Sequence, residues 1–171
     1  MDVAELAASF ATWSQELVAA FGYIGIFVVN FVGSATVLLP LPSFVIVIVA
    51  ASTLNPWLVG LSAGLGAGLG EITGYLVGKG GGEVLENKHQ KWLERVRRWS
   101  GRHGLFPIII LFAALPLPAD VIGIVAGLSE YNVKKFLGAN MIGKTIKFLL
   151  LAWASFFSVP WLVQLFTGSG L

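Results

Sequence analysis

The chain has 171 residues, of which 56% are hydrophobic and only 12% charged. That charged share is about half of what a soluble domain carries, and the mean hydropathy is +0.83. An ordinary soluble fold is therefore excluded, and the absence of cysteine excludes a disulfide scaffold, thiol redox chemistry and thiolate metal sites.

The histidines are His89 and His103, too few for a histidine metal cage, and no metal or other cofactor is expected. Charges are unevenly placed. From Leu17 to Gly70 there is no Asp, Glu, Lys or Arg. This run is far longer than the ~20 residues a helix needs to cross a bilayer. A second neutral run covers His103 to Ala119, and a third Phe148 to Leu171. The fold class expected is an all-α, multi-pass integral membrane protein of the plasma or inner membrane.

All Lys and Arg lie between Lys79 and Lys147. Basic loops stay in the cytoplasm, so the loop over residues 79–102 is predicted cytoplasmic and both termini outside. Residues 1–20 form an N-terminal amphipathic segment, with Val3, Leu6 and Phe10 on one side, expected to lie on the outer surface. Its acidic start lacks the positive n-region of a signal peptide.

Residues 21–79 read as a first repeat. Pro40-Leu41-Pro42 breaks the apolar run, since proline lacks the N–H a helix requires. The arm that follows, Ser43 to Leu54, gives ~18 Å of helix, too short for a core of ~30 Å. Asn55-Pro56 then starts a new helix. The geometry predicted is a re-entrant hairpin with its turn inside the membrane, where irregular backbone must be buried in protein or line a wet cavity. On the next helix Gly66, Gly70, Gly74 and Gly78 form one ridge of small residues, and Gly60, Gly64 and Gly68 another. Such ridges let helices pack closely between halves or between protomers, so a homo-oligomer is allowed. The glycines are not a nucleotide loop, because no strand precedes them and no P-loop Lys-Ser/Thr follows.

Residues 80–102 form a linker. Gly80-Gly81-Gly82 is a hinge, and Glu83 to Trp99 a basic amphipathic helix suited to an anionic lipid surface or to fixing orientation. Nucleic-acid binding is not expected of a short basic loop between spans.

Residues 103–166 repeat the device, and 167–171 are a tail. LPLPSFVIVIVA at Leu39–Ala50 matches LPLPADVIGIVA at Leu115–Ala126 at nine of twelve positions. Upstream, FGYIGIF at Phe21–Phe27 pairs with SGRHGLF at Ser100–Phe106, and a helix starting near Asn132 answers the one starting near Pro56. Each half is a hairpin plus a spanning helix. Each crosses an odd number of times, so the halves form an inverted-topology repeat with a midplane site between them.

Glu71, Asp120, Lys144 and Lys147 fall inside these apolar segments, where charges are costly and need partners. Asn140, Lys144 and Lys147 make one polar stripe. The pairings expected are Asp120 with Lys144 and Glu71 with Lys147. These charges either handle substrate and protons or only hold the halves in register. No nucleophile or metal motif accompanies the carboxylates, so no enzyme is expected.

Four stretches resemble the DedA superfamily, also called the VTT or SNARE-associated domain family, and most of all its YqaA-like branch. They are SATVLLP at Ser34–Pro40, GLGEITGYLVGK at Gly68–Lys79, LPLPADVIGIVAG at Leu115–Gly127 and GKTIKF at Gly143–Phe148. The likeness covers roughly residues 20–160. It implies two re-entrant hairpins facing each other, shaped by Pro40, Pro42, Pro116 and Pro118. It also implies movement of lipids (a polyprenyl phosphate or a phospholipid) or small solutes, with protons involved. Ala113 and Ala119 stand where the main DedA pattern has arginines, and Ala35 and Phe44 where it has acids. Asp120 and Lys144 match the YqaA-like branch. The function expected is a flippase, scramblase or proton-coupled transporter. The alternative is a non-transporting structural or assembly protein with internally paired charges.

Overall fold

The computed structural model describes residues 3–36, 43–81, 104–115 and 119–167. All regular structure among these residues is helical. In chain order the helices are α1 (Val3–Phe21), α2 (Tyr23–Ala35), α3 (Ser43–Ala51), α4 (Pro56–Gly70), α5 (72–81), α6 (Leu105–Ala114), α7 (Ala119–Leu128) and α8 (Val133–Thr167). Pro40, Pro42, Pro116, Pro118 and, of the linker expected over 80–102, residues 82–102 lie outside the described residues; Gly80 and Gly81, expected as part of a hinge, continue α5.

The helix starts follow from local chemistry. Asn55 caps α4, its Oδ1 accepting from the N–H groups of Trp57 (3.0 Å) and Leu58 (3.4 Å), with Pro56 in the first turn where no N–H is needed. Asn132 caps α8 likewise, accepting from Lys134 (3.0 Å) and Lys135 (3.1 Å). Gly22 and Gly104 precede α2 and α6 with φ of 55° and 68°, a region open to glycine at little cost. At the end of α7, Glu130 takes a positive φ of 53°. There Tyr131 N–H donates to Ala126 O and Glu130 N–H to Gly127 O, closing the helix.

α4 and α5 are nearly one helix. The interruption is at Glu71, whose N–H still donates to Ala67 O and whose carbonyl accepts from Tyr75 N–H, both at 3.3 Å. α4 lies antiparallel against α8. A Cβ on Gly60, Gly64 or Gly68 would overlap the backbone of Leu149, Thr145 or Met141 respectively. Each step of one turn up α4 is therefore a step of one turn down α8, with the backbones in contact.

The shorter helices pack around this pair. α2 stays with α4 and α6 with α8: Gly66 and Gly70 on α4 abut the carbonyls of Phe27 and Phe31 on α2, and Gly143 on α8 abuts that of Ile110 on α6. α3 and α7 cross over. α3 packs on α8, where Ser155 Oγ donates to Ile48 O at 2.7 Å. α7 packs on α5, with Gly78 against Ile124 and Gly127 against Tyr75. The ridge expected from Gly66 to Gly78 thus divides: its first two glycines serve α2 and its last two face α7.

The N-terminal helix does not lie apart on a surface. α1 turns back at Gly22 and runs antiparallel along α2, with Gly25 against Leu17 and Gly33 near the Phe10 ring. Phe10, Val29 and Ile46 form a small core between α1, α2 and α3. Of the expected apolar stripe, Phe10 is thus buried against α2 and α3.

The main cores are Ile26, Val47, Val59, Ala63 and Phe148 in one place and Tyr75, Leu105, Ile109, Ile122 and Phe136 in the other. Outside them, large apolar side chains such as Ile24, Val49, Leu76, Leu111 and Leu150 are exposed, far more than the isolated apolar residues of a soluble surface. Val133–Ser158 in α8 is the one helix among the described residues that is long and apolar enough to cross a membrane. α2, α3, α6 and α7 have 13, 9, 10 and 10 residues, at most ~20 Å each, short of a bilayer core.

Candidate functional site

Three of the four charged side chains of the apolar segments, Glu71, Asp120 and Lys144, meet where α4 gives way to α5. Glu71 is 3% exposed and Lys144 6%. The Lys144 ammonium binds Glu71 Oε1 at 2.5 Å. This pair joins the two halves. It forms because Cα–Cβ bonds tilt towards a helix N-terminus, so on antiparallel helices Glu71 leans down towards Gly68 and Lys144 leans up towards Met141. Each side chain then covers part of the gap.

The pairings expected from sequence are corrected here. Lys147 lies one turn further along α8, and the antiparallel register puts it near Ser62, ~13 Å along the helix from Glu71. Equal distance from the two helix starts does not mean equal depth when the helices run in opposite directions. Lys147 has instead the Phe148 ring, 5.6 Å from its ammonium, and the wall of a cavity shared with Phe44, Ala114 and Leu150. Asp120, in the first turn of α7, does reach the cluster. Its carboxyl neighbours that of Glu71 and feels the charge of Lys144, but Glu71 holds the ammonium.

Among the described residues, buried polar atoms around the pair lack hydrogen-bond partners. Glu71 Oε2 has none, and neither end of the Asn140 amide has one, although Asn140 is 0% exposed and sits one turn from Lys144. An unpaired buried polar group costs about 1–3 kcal/mol, so a dry site with these atoms orphaned is unfavourable. Water or a ligand group offsets that cost. Asn30 on α2 is similar: Nδ2 donates to Ile26 O at 2.9 Å and Oδ1 is unpaired. It was not among the expected site residues; its signal in the sequence was an amide in a long apolar run. No group of three His, Cys, Asp or Glu able to hold a metal occurs among the described residues.

Aromatic side chains gather at the far end. Trp57 meets Trp153 edge-on at 5.4 Å, and Trp153 stacks on Phe157 at 5.4 Å. From Val133 to Trp153 α8 rises ~30 Å, the thickness of a hydrocarbon core, and Lys144 lies ~16 Å along that path.

These features define a helical membrane protein with a buried ion pair between two intertwined halves. The sequence model of the VTT domain matches residues 41–157, more than half of the chain. The chain belongs to that family, the DedA or SNARE-associated membrane proteins. No curated protein and no solved structure matches it.

Proposed function

We propose that the chain is a multi-pass translocator of the plasma or inner membrane, moving an amphiphilic lipid between leaflets through a midplane site formed by Glu71, Asp120, Lys144 and Asn140. The observation that carries this reading is the buried Glu71–Lys144 pair with Glu71 Oε2 and the whole Asn140 amide beside it unpartnered among the described residues. A purely structural ion pair gains most when every lone pair and proton is satisfied; this one is left open. Two carboxyls beside one ammonium also leave a surplus negative charge that a proton offsets, which supports proton coupling. Asp120 and Lys144 favour the YqaA-like branch.

The architecture of the reading is an inverted repeat. Each half contributes two short arms and one long helix. The short arms form re-entrant hairpins, and the second arm of each leans on the long helix of the other half. Support comes from the antiparallel contact of α4 and α8 and from the matching caps at Asn55 and Asn132. Lys79, Lys134 and Lys135 mark the cytoplasmic side and Trp57 and Trp153 the outer one. The C-terminus is then outside. The antiparallel packing of α1 on α2 favours the cytoplasmic side for the N-terminal end, in place of the outer position expected from the sequence.

The test is lipid exchange in proteoliposomes carrying fluorescent phospholipid or polyprenyl phosphate, read by dithionite quenching. Wild type exchanges lipid. Asp120→Asn, melting like wild type, exchanges it at least roughly tenfold more slowly, as expected for a group used in proton transfer. Undiminished exchange by folded Asp120→Asn removes the assigned role. No exchange of any lipid by wild type turns the reading to the structural alternative.

A further inference from the structure

A cavity of about 560 Å³ lies away from the Glu71–Lys144 pair. One wall is Phe44, in the first turn of α3. Another is Ala114, the last residue of α6. The floor is α8, with Lys147, Leu150, Leu151 and Ala154. Both halves of the chain therefore build it. Phe44 and Leu150 are more than half exposed, so the cavity opens past two apolar side chains of the helix sides.

Among the described residues Lys147 is the one ionisable group lining this cavity. Lys147 feels the charge of Glu71, but Glu71 holds Lys144, and no carboxylate forms an ion pair with Lys147 among the described residues. It lies ~9 Å along α8 from Trp153, within the apolar depth. A cation at such a depth requires a counter-charge. In the aligned repeats the places of Phe44 and Lys147 are taken by Asp120 and Glu71. The halves have thus diverged in sign, and only this side draws an anion.

We propose that this cavity holds the anionic phosphate headgroup of a lipid on Lys147, with the acyl chains leaving past Phe44 and Leu150. As a stop on the translocation route it rests on the reading given above; as a binding site it stands without it. The walls decide for a lipid over a free anion. Beyond the ammonium they offer only apolar surface, which suits hydrocarbon and gives a hydrated ion nothing to replace its water.

The experiment is native mass spectrometry of the whole detergent-purified protein with phosphatidylglycerol or phosphatidylcholine. Wild type retains phosphatidylglycerol in preference to phosphatidylcholine. Lys147→Arg keeps that preference, Lys147→Gln loses it by roughly tenfold or more, and Lys134→Gln at the exposed start of α8 leaves it intact. Millimolar inorganic phosphate does not displace the lipid. The proposal is overturned if folded Lys147→Gln retains the preference, if Lys147→Arg loses it, or if inorganic phosphate competes. Proteoliposome exchange separates the two readings. Binding without exchange in wild type removes translocation and leaves the site; exchange without selective binding does the reverse.

Discussion

Asn55 and Asn132 do the same work in the two halves: each turns its side-chain oxygen onto the N–H groups of the second and third residues of the long helix it opens. Replacing either by alanine leaves two N–H groups without that acceptor. Asn55→Ala and Asn132→Ala should each lower stability by about 1 kcal/mol. The caps sit at opposite ends of the antiparallel pair, so the double variant should show the sum. Thermal melts in detergent would check this, and a double variant no worse than either single one would refute independent caps.

Gly64 and Gly138 are both helical, yet they should respond oppositely to alanine. A methyl group on Gly64 would overlap Thr145 Cα, whereas one on Gly138 meets nothing within 4 Å. Gly64→Ala should destabilise by about 1–3 kcal/mol because the helices must separate. Gly138→Ala should be neutral or stabilise by up to about 1 kcal/mol, as alanine is the better helix former. Melting temperatures falling equally for both would mean that α4 and α8 are not in backbone contact.

The Glu71–Lys144 pair should be asymmetric. Lys144→Met strands two neighbouring carboxyls without their ammonium, at a cost of about 3–5 kcal/mol. Glu71→Gln leaves Lys144 with Asp120 beside it, so it should cost clearly less. The double variant Glu71→Gln, Lys144→Met should recover part of the loss of Lys144→Met. Denaturation of the four proteins in one detergent decides it; a double variant additive in its losses would show that the two side chains do not interact.

Ser155 ties α3 to α8 through Ile48 O. Ser155→Ala should cost about 1 kcal/mol, and the effect should be local. Hydrogen exchange ought to quicken in α3 and stay unchanged in α7. Uniform quickening throughout the chain would argue against a local clasp.

Much of the fold was legible because its punctuation is covalent. Asn55-Pro56 and Asn132 announce the helix starts at Pro56 and Val133, and the neutral run announces an apolar surface. The partners of the charges were not legible. Whether Glu71 finds Lys144 or Lys147 depends on the direction of two helices and on the tilt of Cβ bonds. An alignment of repeats carries neither. The split of the glycine ridge between α2 and α7 was hidden for the same reason: spacing gives the face of a helix, not what lies against it. Asn30 and Ser155 escaped notice because single small polar residues in apolar helices show no pattern until their neighbours are in place.

The clasp between Ser155 and Ile48 spans 107 residues of sequence. A ribosome adding about 5–20 residues per second therefore finishes α3 some 5–20 seconds before the strut that steadies it exists. Glu71, too, emerges before the lysine that neutralises it. The first half is in this sense an unfinished product when made. Whatever machinery inserts the chain must shelter a short, half-covered helix and a lone carboxyl until the last helix arrives to lock both.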